Sequence, residues 1–147
     1  MKLRALVFDD DATIRSMLWN VLDRRGYEVF TFHDPEQCWL HFTDVCQCPR
    51  DSACTDVIVT DIDMPGVDGL SFLDALERKG CRCDHVAVMS GSWTDAELRH
   101  AARLRCKVLS KPFHISQIDI WLDAVESRIP AERDLVDWHA NVAGTRP

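Results

Sequence analysis

Residues 57–69 read VIVTDIDMPGVDG: four residues of a buried strand, then three acids within eight positions. Val57 to Thr60 is short and apolar on both faces, as a central strand of a parallel sheet should be. Carboxylates at the end of such a strand are costly unless something pairs with them. Asp61 and Asp63 therefore call for a cation or a lysine opposite, or else they sit in a loop and carry little. Pro65, Gly66 and Gly69 shape a turn into the next helix, and Asp68 is placed to cap that helix at its N-terminus.

Working outward, the same alternation of strand and helix repeats along the chain. Leu3–Phe8 is a short apolar strand, and Ile14, Met17, Leu18, Val21 and Leu22 then line one face of a helix that Gly26 closes. Tyr27–Phe32 is β-branched and aromatic, a second strand. Pro35 suits the first turn of a helix running to about residue 43, and residues 44–55 read as loop. After the third strand, Leu70, Phe72, Leu73 and Leu76 mark a helix closed by Gly80. Val86–Met89 is a fourth strand, Thr94 caps the helix that follows, and Lys107–Ser110 is a fifth strand. Ile115, Ile118, Leu122 and Val125 set a last strongly periodic helix. Five such alternations predict an α/β fold, a doubly wound five-stranded parallel sheet with five helices. A domain over residues 1–128 is expected, with an extension over 129–147 forming a short docked helix and a loose tail.

Composition narrows the function. The 147 residues suit one domain, and 46% hydrophobic with 28% charged content suits a globular protein. No apolar run nears the roughly 18 residues of a membrane span, and the N-terminus lacks a signal peptide's apolar core, so a cytoplasmic location is expected. A net charge of −7 argues against direct contact with nucleic acid, because phosphate binding needs a basic face. Output should pass through protein contacts.

Ligands of a doubly wound sheet bind beyond the carboxyl ends of its strands. At that edge the sequence places Asp9, Asp10 and Asp11 after the first strand, Asp61 after the third, Ser90 after the fourth and Lys111 after the fifth. Crowded carboxylates repel one another and call for a hard cation with oxygen ligands, of which Mg²⁺ fits best. A lysine and a hydroxyl opposite them suit the oxygens of an incoming phosphoryl group. Any one of these residues alone is ordinary; four strand ends each supplying a member of one site are not.

The segments 7-VFDDDATIR-15, 57-VIVTDIDMPGVDG-69, 86-VAVMSGS-92 and 110-SKPF-113, in this order, resemble the receiver domain of two-component response regulators. The resemblance covers about residues 2–128. It implies strand order 2-1-3-4-5 and a phosphoryl group accepted on Asp61 from a histidine kinase or phosphotransfer protein. It further implies Asp10 as a direct Mg²⁺ ligand, Asp9 acting more remotely, and Asp63 contributing its carbonyl. Ser90 would contact the phosphoryl group, Lys111 would neutralise it, and Lys111–Pro112 would be cis. The output would be an unidentified downstream protein, and the expectation is a stand-alone signalling module rather than an enzyme.

Two departures stand out. The aromatic residue usual two positions before the one preceding Lys111 is here Val108, so the relay beyond phosphorylation is altered. Seven cysteines is a high count, and Cys46, Cys48, Cys54, Cys81, Cys83 and Cys106 fall in loops expected at the opposite end of the sheet. Such a group can bind zinc or sense redox state, but C-x-C and C-x₅-C spacings favour ordinary small buried thiols. Six histidines form no pattern with them. Two further readings compete with the phosphoacceptor. A haloacid-dehalogenase-type phosphatase also uses an Asp-x-Asp at a strand end, which 61-DID-63 imitates, but it leaves 9-DDD-11 unexplained. An unphosphorylated pseudo-receiver scaffold would tolerate the missing aromatic residue.

Overall fold

The structure, a computed structural model, describes residues 2–38, 52–81 and 83–135. Five strands form one parallel sheet: β1 (Leu3–Phe8), β2 (Tyr27–Phe32), β3 (Val57–Asp61), β4 (Val86–Ser90) and β5 (Lys107–Ser110), in the order β2-β1-β3-β4-β5. Four helices accompany them among the described residues: α1 (Ala12–Arg24), α2 (Gly69–Arg78), α3 (Asp95–Arg103) and, after β5, α4 (Ile115–Glu126). Reversal of strand order between β1 and β3 opens a crevice at the carboxyl edge, where such sheets bind ligands.

Side-chain alternation along β1 divides the core. Leu3, Ala5 and Val7 join Leu18, Val21 and Leu22 of α1 and Ile118, Leu122 and Val125 of α4 on one face. Leu6 and Phe8 join Ile58, Leu70, Phe72 and Leu73 on the other, beneath α2 and α3. Phe8 centres the second layer, stacked on Phe32 at 5.0 Å and tilted against Phe72 at 4.8 Å between ring centroids. Each fully buried side chain of this size contributes about 1.5–3 kcal/mol, so the central strands need no polar help to stay in place. The helices start as the sequence predicts. Asp68 accepts the Ser71 N–H, and Thr94 and Glu97 form a reciprocal capping box.

Two expectations are corrected. Pro35–Gln37 forms a single 3₁₀ turn, capped by the Asp34 side chain and ending at Cys38, and the rest of the helix expected there lies outside the described residues. Within the predicted loop, Ser52–Ala53 pairs in parallel with Asp134–Leu135 as a two-residue ladder. The described part of the C-terminal extension is accordingly a turn and a short strand, and the rest of the extension, residues 136–147, lies outside the described residues. Arg133 anchors this segment. Its guanidinium donates to both carboxylate oxygens of buried Asp56 and to the Lys2 carbonyl, which holds the backbone extended alongside residues 52–53.

Candidate functional site

Register carries the acids together. Phe8 is paired with Thr60, so Asp9 emerges beside Asp61; Asp61 is paired with Met89, and Ser90 with Ser110. The ladder runs one residue further at each place: Asp9 N–H donates to Phe32, Ile62 N–H to Met89 and Lys111 N–H to Ser90. Asp9, Asp61, Ser90 and Lys111 thus leave adjacent strands at one level.

The side chains converge from there. Oxygens of Asp9, Asp10 and Asp61 lie within 4.8 Å of one another, a group that could hold a metal ion. Lys111 Nζ donates to Asp9 Oδ2 at 2.7 Å and lies 3.3 Å from Asp61 Oδ2. Asp9 and Asp61 are buried while Asp10 is exposed at the rim. Asp63 points its carboxylate outward, and its backbone N–H donates to the Asp61 carboxylate. Ser90 Oγ donates to the Ser92 carbonyl and accepts the Ser92 N–H, both at 3.1 Å, so its hydroxyl is tied to the loop before α3. Asp11 caps α1 by accepting the Thr13 N–H and lies outside the acid group.

Charge and burial make the acids unequal. Burial raises the Asp61 carboxyl most, the Asp9 charge adds to this, and Lys111 offsets only part, leaving it at about 6 against an ordinary 3.8. Lys111 is raised as well: burial works to lower it, but hydrogen bonding and attraction from Asp9 and Asp61 outweigh burial and raise it. The lysine therefore stays charged, and the site carries more carboxylate than one lysine neutralises.

Several supports were not predicted. Arg15 Nη1 donates to the Asp9 carbonyl at 2.6 Å, pinning the turn from α1. Thr60 Oγ1 donates to the Asp61 carbonyl, and Gly69 N–H donates to Ile62, folding residues 62–68 back on the strand end. Gly69 packs so closely that an added Cβ would sit 2.1 Å from the Asp61 carbonyl oxygen. The Gly69→Ala variant must push α2 away from β3. Overpacking of this kind costs about 1–3 kcal/mol, so thermal unfolding should begin several degrees lower, as circular dichroism would read.

Val108 occupies the position usual for an aromatic residue. Trp93, from the loop after β4, packs into the same core cluster, and its indole N–H donates to the Leu109 carbonyl at 3.0 Å. Of the six loop cysteines, Cys54, Cys81, Cys83 and Cys106 lie at the amino edge of the sheet as expected; Cys46 and Cys48 lie outside the described residues.

Fold and register together define a class: a doubly wound α/β receiver with an acid–lysine site at the carboxyl edge of its sheet. The chain belongs to the response regulator receiver domain family, whose match spans residues 5–122. It is 28% identical over 127 residues to the probable chemotaxis protein CheY of Rhizobium etli, covering 84% of this chain and 92% of that one. It is 43% identical over 74 residues to a protein-glutamate methylesterase/protein-glutamine glutaminase of Anaeromyxobacter dehalogenans, covering 50% of this chain and 19% of that one. The chain spans between 19% and 26% of the length of the first five curated relatives it matches. Among solved structures, the chemotaxis response regulator CheY4 of Vibrio cholerae superposes with a TM-score of 0.68 at 22% identity, covering 85% and 99% of the two chains. The HemR receiver domain of Leptospira biflexa gives 0.70 at 19%, covering 88% and 98%. These structural likenesses bear on the fold. No described helix is long and apolar enough to cross a membrane.

Proposed function

We propose that this chain accepts a phosphoryl group on Asp61 from a histidine kinase or phosphotransfer protein and signals through contacts with a downstream protein. The observation that carries the reading is the meeting of Lys111 with Asp61 at 3.3 Å beside the three-acid group. A hard-oxygen donor set with surplus negative charge fits Mg²⁺, held by Asp9, Asp10 and Asp61 with the Asp63 carbonyl. When bound, that ion supplies neutralisation of phosphoryl oxygens, which is most of what a loose phosphoryl-transfer transition state requires. Asp61 Oδ forms the new bond to phosphorus as the bond to the donor's nitrogen or oxygen breaks. Lys111 holds one phosphoryl oxygen, and Ser90 turns its hydroxyl from the Ser92 carbonyl toward another.

That turn is the route outward. Ser90 holds the loop carrying Trp93, and Trp93 holds β5 through Leu109, so the relay runs through this loop in place of an aromatic residue on β5. Likeness to the Rhizobium chemotaxis protein along 92% of its length supports the stand-alone reading over residues 1–128 with a docked extension. The net charge of −7 favours output through protein contacts over direct contact with nucleic acid, and the reading places the chain in the cytoplasm. Against the haloacid-dehalogenase-type reading, Asp9 and Asp10 join Asp61 in one group rather than standing unused.

Intact-mass measurement tests the proposal. With Mg²⁺ and acetyl phosphate, the protein should gain the mass of one phosphoryl group, and Asp61→Asn should gain none. A wild-type protein without mass gain would leave the scaffold reading, and steady turnover of unrelated phosphate esters would favour the phosphatase.

A further inference from the structure

The amino edge of the sheet, opposite Asp61, holds a cavity of about 360 Å³ between the ends of α2 and α3. Its wall includes Cys81, Cys83 and Cys106, with Arg103, Glu77 and Asp84 around them. Fully buried Cys54 lies behind this wall, and its Sγ is 3.6 Å from Cys81 Sγ. We propose that Cys54 and Cys81 form a dithiol–disulfide pair, closed by exchange with a low-molecular-mass aliphatic disulfide that reaches Cys81 through the cavity.

The neighbouring thiols differ from this pair in what they face. Cys83 Sγ donates to the carbonyls of Asp56 and His85, at 3.6 and 3.7 Å. Carbonyls accept from a thiol but give nothing to a thiolate. Burial, with Asp74 adding, pushes the Cys106 thiol up to about 12, and its Sγ also faces a carbonyl, that of Leu104. Cys54 and Cys81 face each other, and either S–H can donate to the other sulfur. The thiolate is the attacking species, and a hydrogen bond donated to it favours it.

Exposure orders the two steps. Cys81 is half-buried and lines the cavity, so its thiolate attacks one sulfur of the incoming disulfide and expels the other half as a thiolate. A mixed disulfide on Cys81 results. Cys54 then loses its proton and attacks Cys81 Sγ, expelling the second half as a thiolate. Two protein thiols are oxidised and one small disulfide is reduced to two thiols. Closure needs the sulfurs to approach by about 1.5 Å to reach bonding distance, within reach of small χ1 rotations. The bond would join a residue just ahead of β3 to one just beyond α2, enclosing the whole segment that carries Asp61.

Cystine added to the reduced, intact protein is the test. The expected product has lost two hydrogens, yields a peptide linking Cys54 to Cys81 on non-reducing digestion, and reverts with dithiothreitol. Cys54→Ser should trap one half-cystine on Cys81, and Cys81→Ser should leave Cys54 unmodified. If the buried Cys54→Ser substitution fails to fold, the wild-type linkage and Cys81→Ser still decide. A linkage between other cysteines, a mixed disulfide that never closes, unchanged alkylation of both thiols, or closure only after a chelator strips a metal would each overturn the proposal.

Discussion

Replacing Lys111 with methionine should slow acyl phosphate formation from acetyl phosphate by roughly 10²–10³-fold, the usual cost of removing one preorganised charge-stabilising donor. The prediction follows from the proposed phosphoacceptor role and from what the ammonium touches. Nζ bonds Asp9 at 2.7 Å and lies 3.3 Å from Asp61, so its charge is fixed before any phosphoryl group arrives. Methionine has nearly the same length and keeps the apolar stem packed, so the fold should survive. Without the ammonium, two buried carboxylates face each other and the incoming phosphoryl oxygens meet only negative charge. A rapid-quench time course at saturating Mg²⁺ reads the rate; a loss below about threefold would remove Lys111 from the reaction.

The expected slow variant and the intact fold separate two things the sequence carries unequally. Strand ends were legible to within one residue because buried parallel strands are short apolar runs that stop at polar residues: the strands end at Phe8, Asp61, Ser90 and Ser110. Once the strand order is assumed, Asp9, Asp61, Ser90 and Lys111 fall at one edge. Helix starts were legible at Asp68 and Thr94 because capping is local, within three residues. What was not legible is set by contacts between distant segments. Arg15 meets the Asp9 carbonyl only because α1 turns back over the edge. Gly69 could be placed in a turn, but its 2.1 Å conflict with the Asp61 carbonyl depends on how α2 meets β3.

The start of the C-terminal extension shows how such a contact fixes a segment. Leu135, Val136 and Trp138 have helical spacing, which predicts an amphipathic helix. Asp56 is buried, and burying a carboxylate without partners is costly. Arg133 supplies one partner and the Arg4 N–H another, and these fix Asp134–Leu135 as a strand beside residues 52–53. The cysteines follow the same rule: loose spacing pointed to ordinary buried thiols, and only the fold brings Cys54 and Cys81, 27 positions apart, into contact.

In metal-free buffer at pH 7.5, Asp61→Asn should be more stable than wild type by roughly 3 kcal/mol, although it removes the proposed nucleophile. The folded Asp61 carboxyl sits at about 6 against an ordinary 3.8, and each unit of difference is worth about 1.4 kcal/mol. For an acid raised by folding, the native state holds the proton more tightly than the unfolded chain. Stability from this group is therefore fully present below about pH 4, falls as pH rises through 6, and stays low above it. Asparagine carries no charge at any of these pH values, so the advantage of the variant should vanish near pH 4. Lys111 keeps its shorter bond to Asp9 in the variant, so no cation is stranded. Mg²⁺ bound at the three acids should reverse the ranking at pH 7.5, because it stabilises the ionised wild-type site and finds one ligand fewer in the variant. Urea unfolding of both proteins at pH 4.5 and 7.5, with and without Mg²⁺, reads all four differences. A variant advantage that is flat with pH would place its origin outside the Asp61 charge. One that survives saturating Mg²⁺ would remove Asp61 from the metal site.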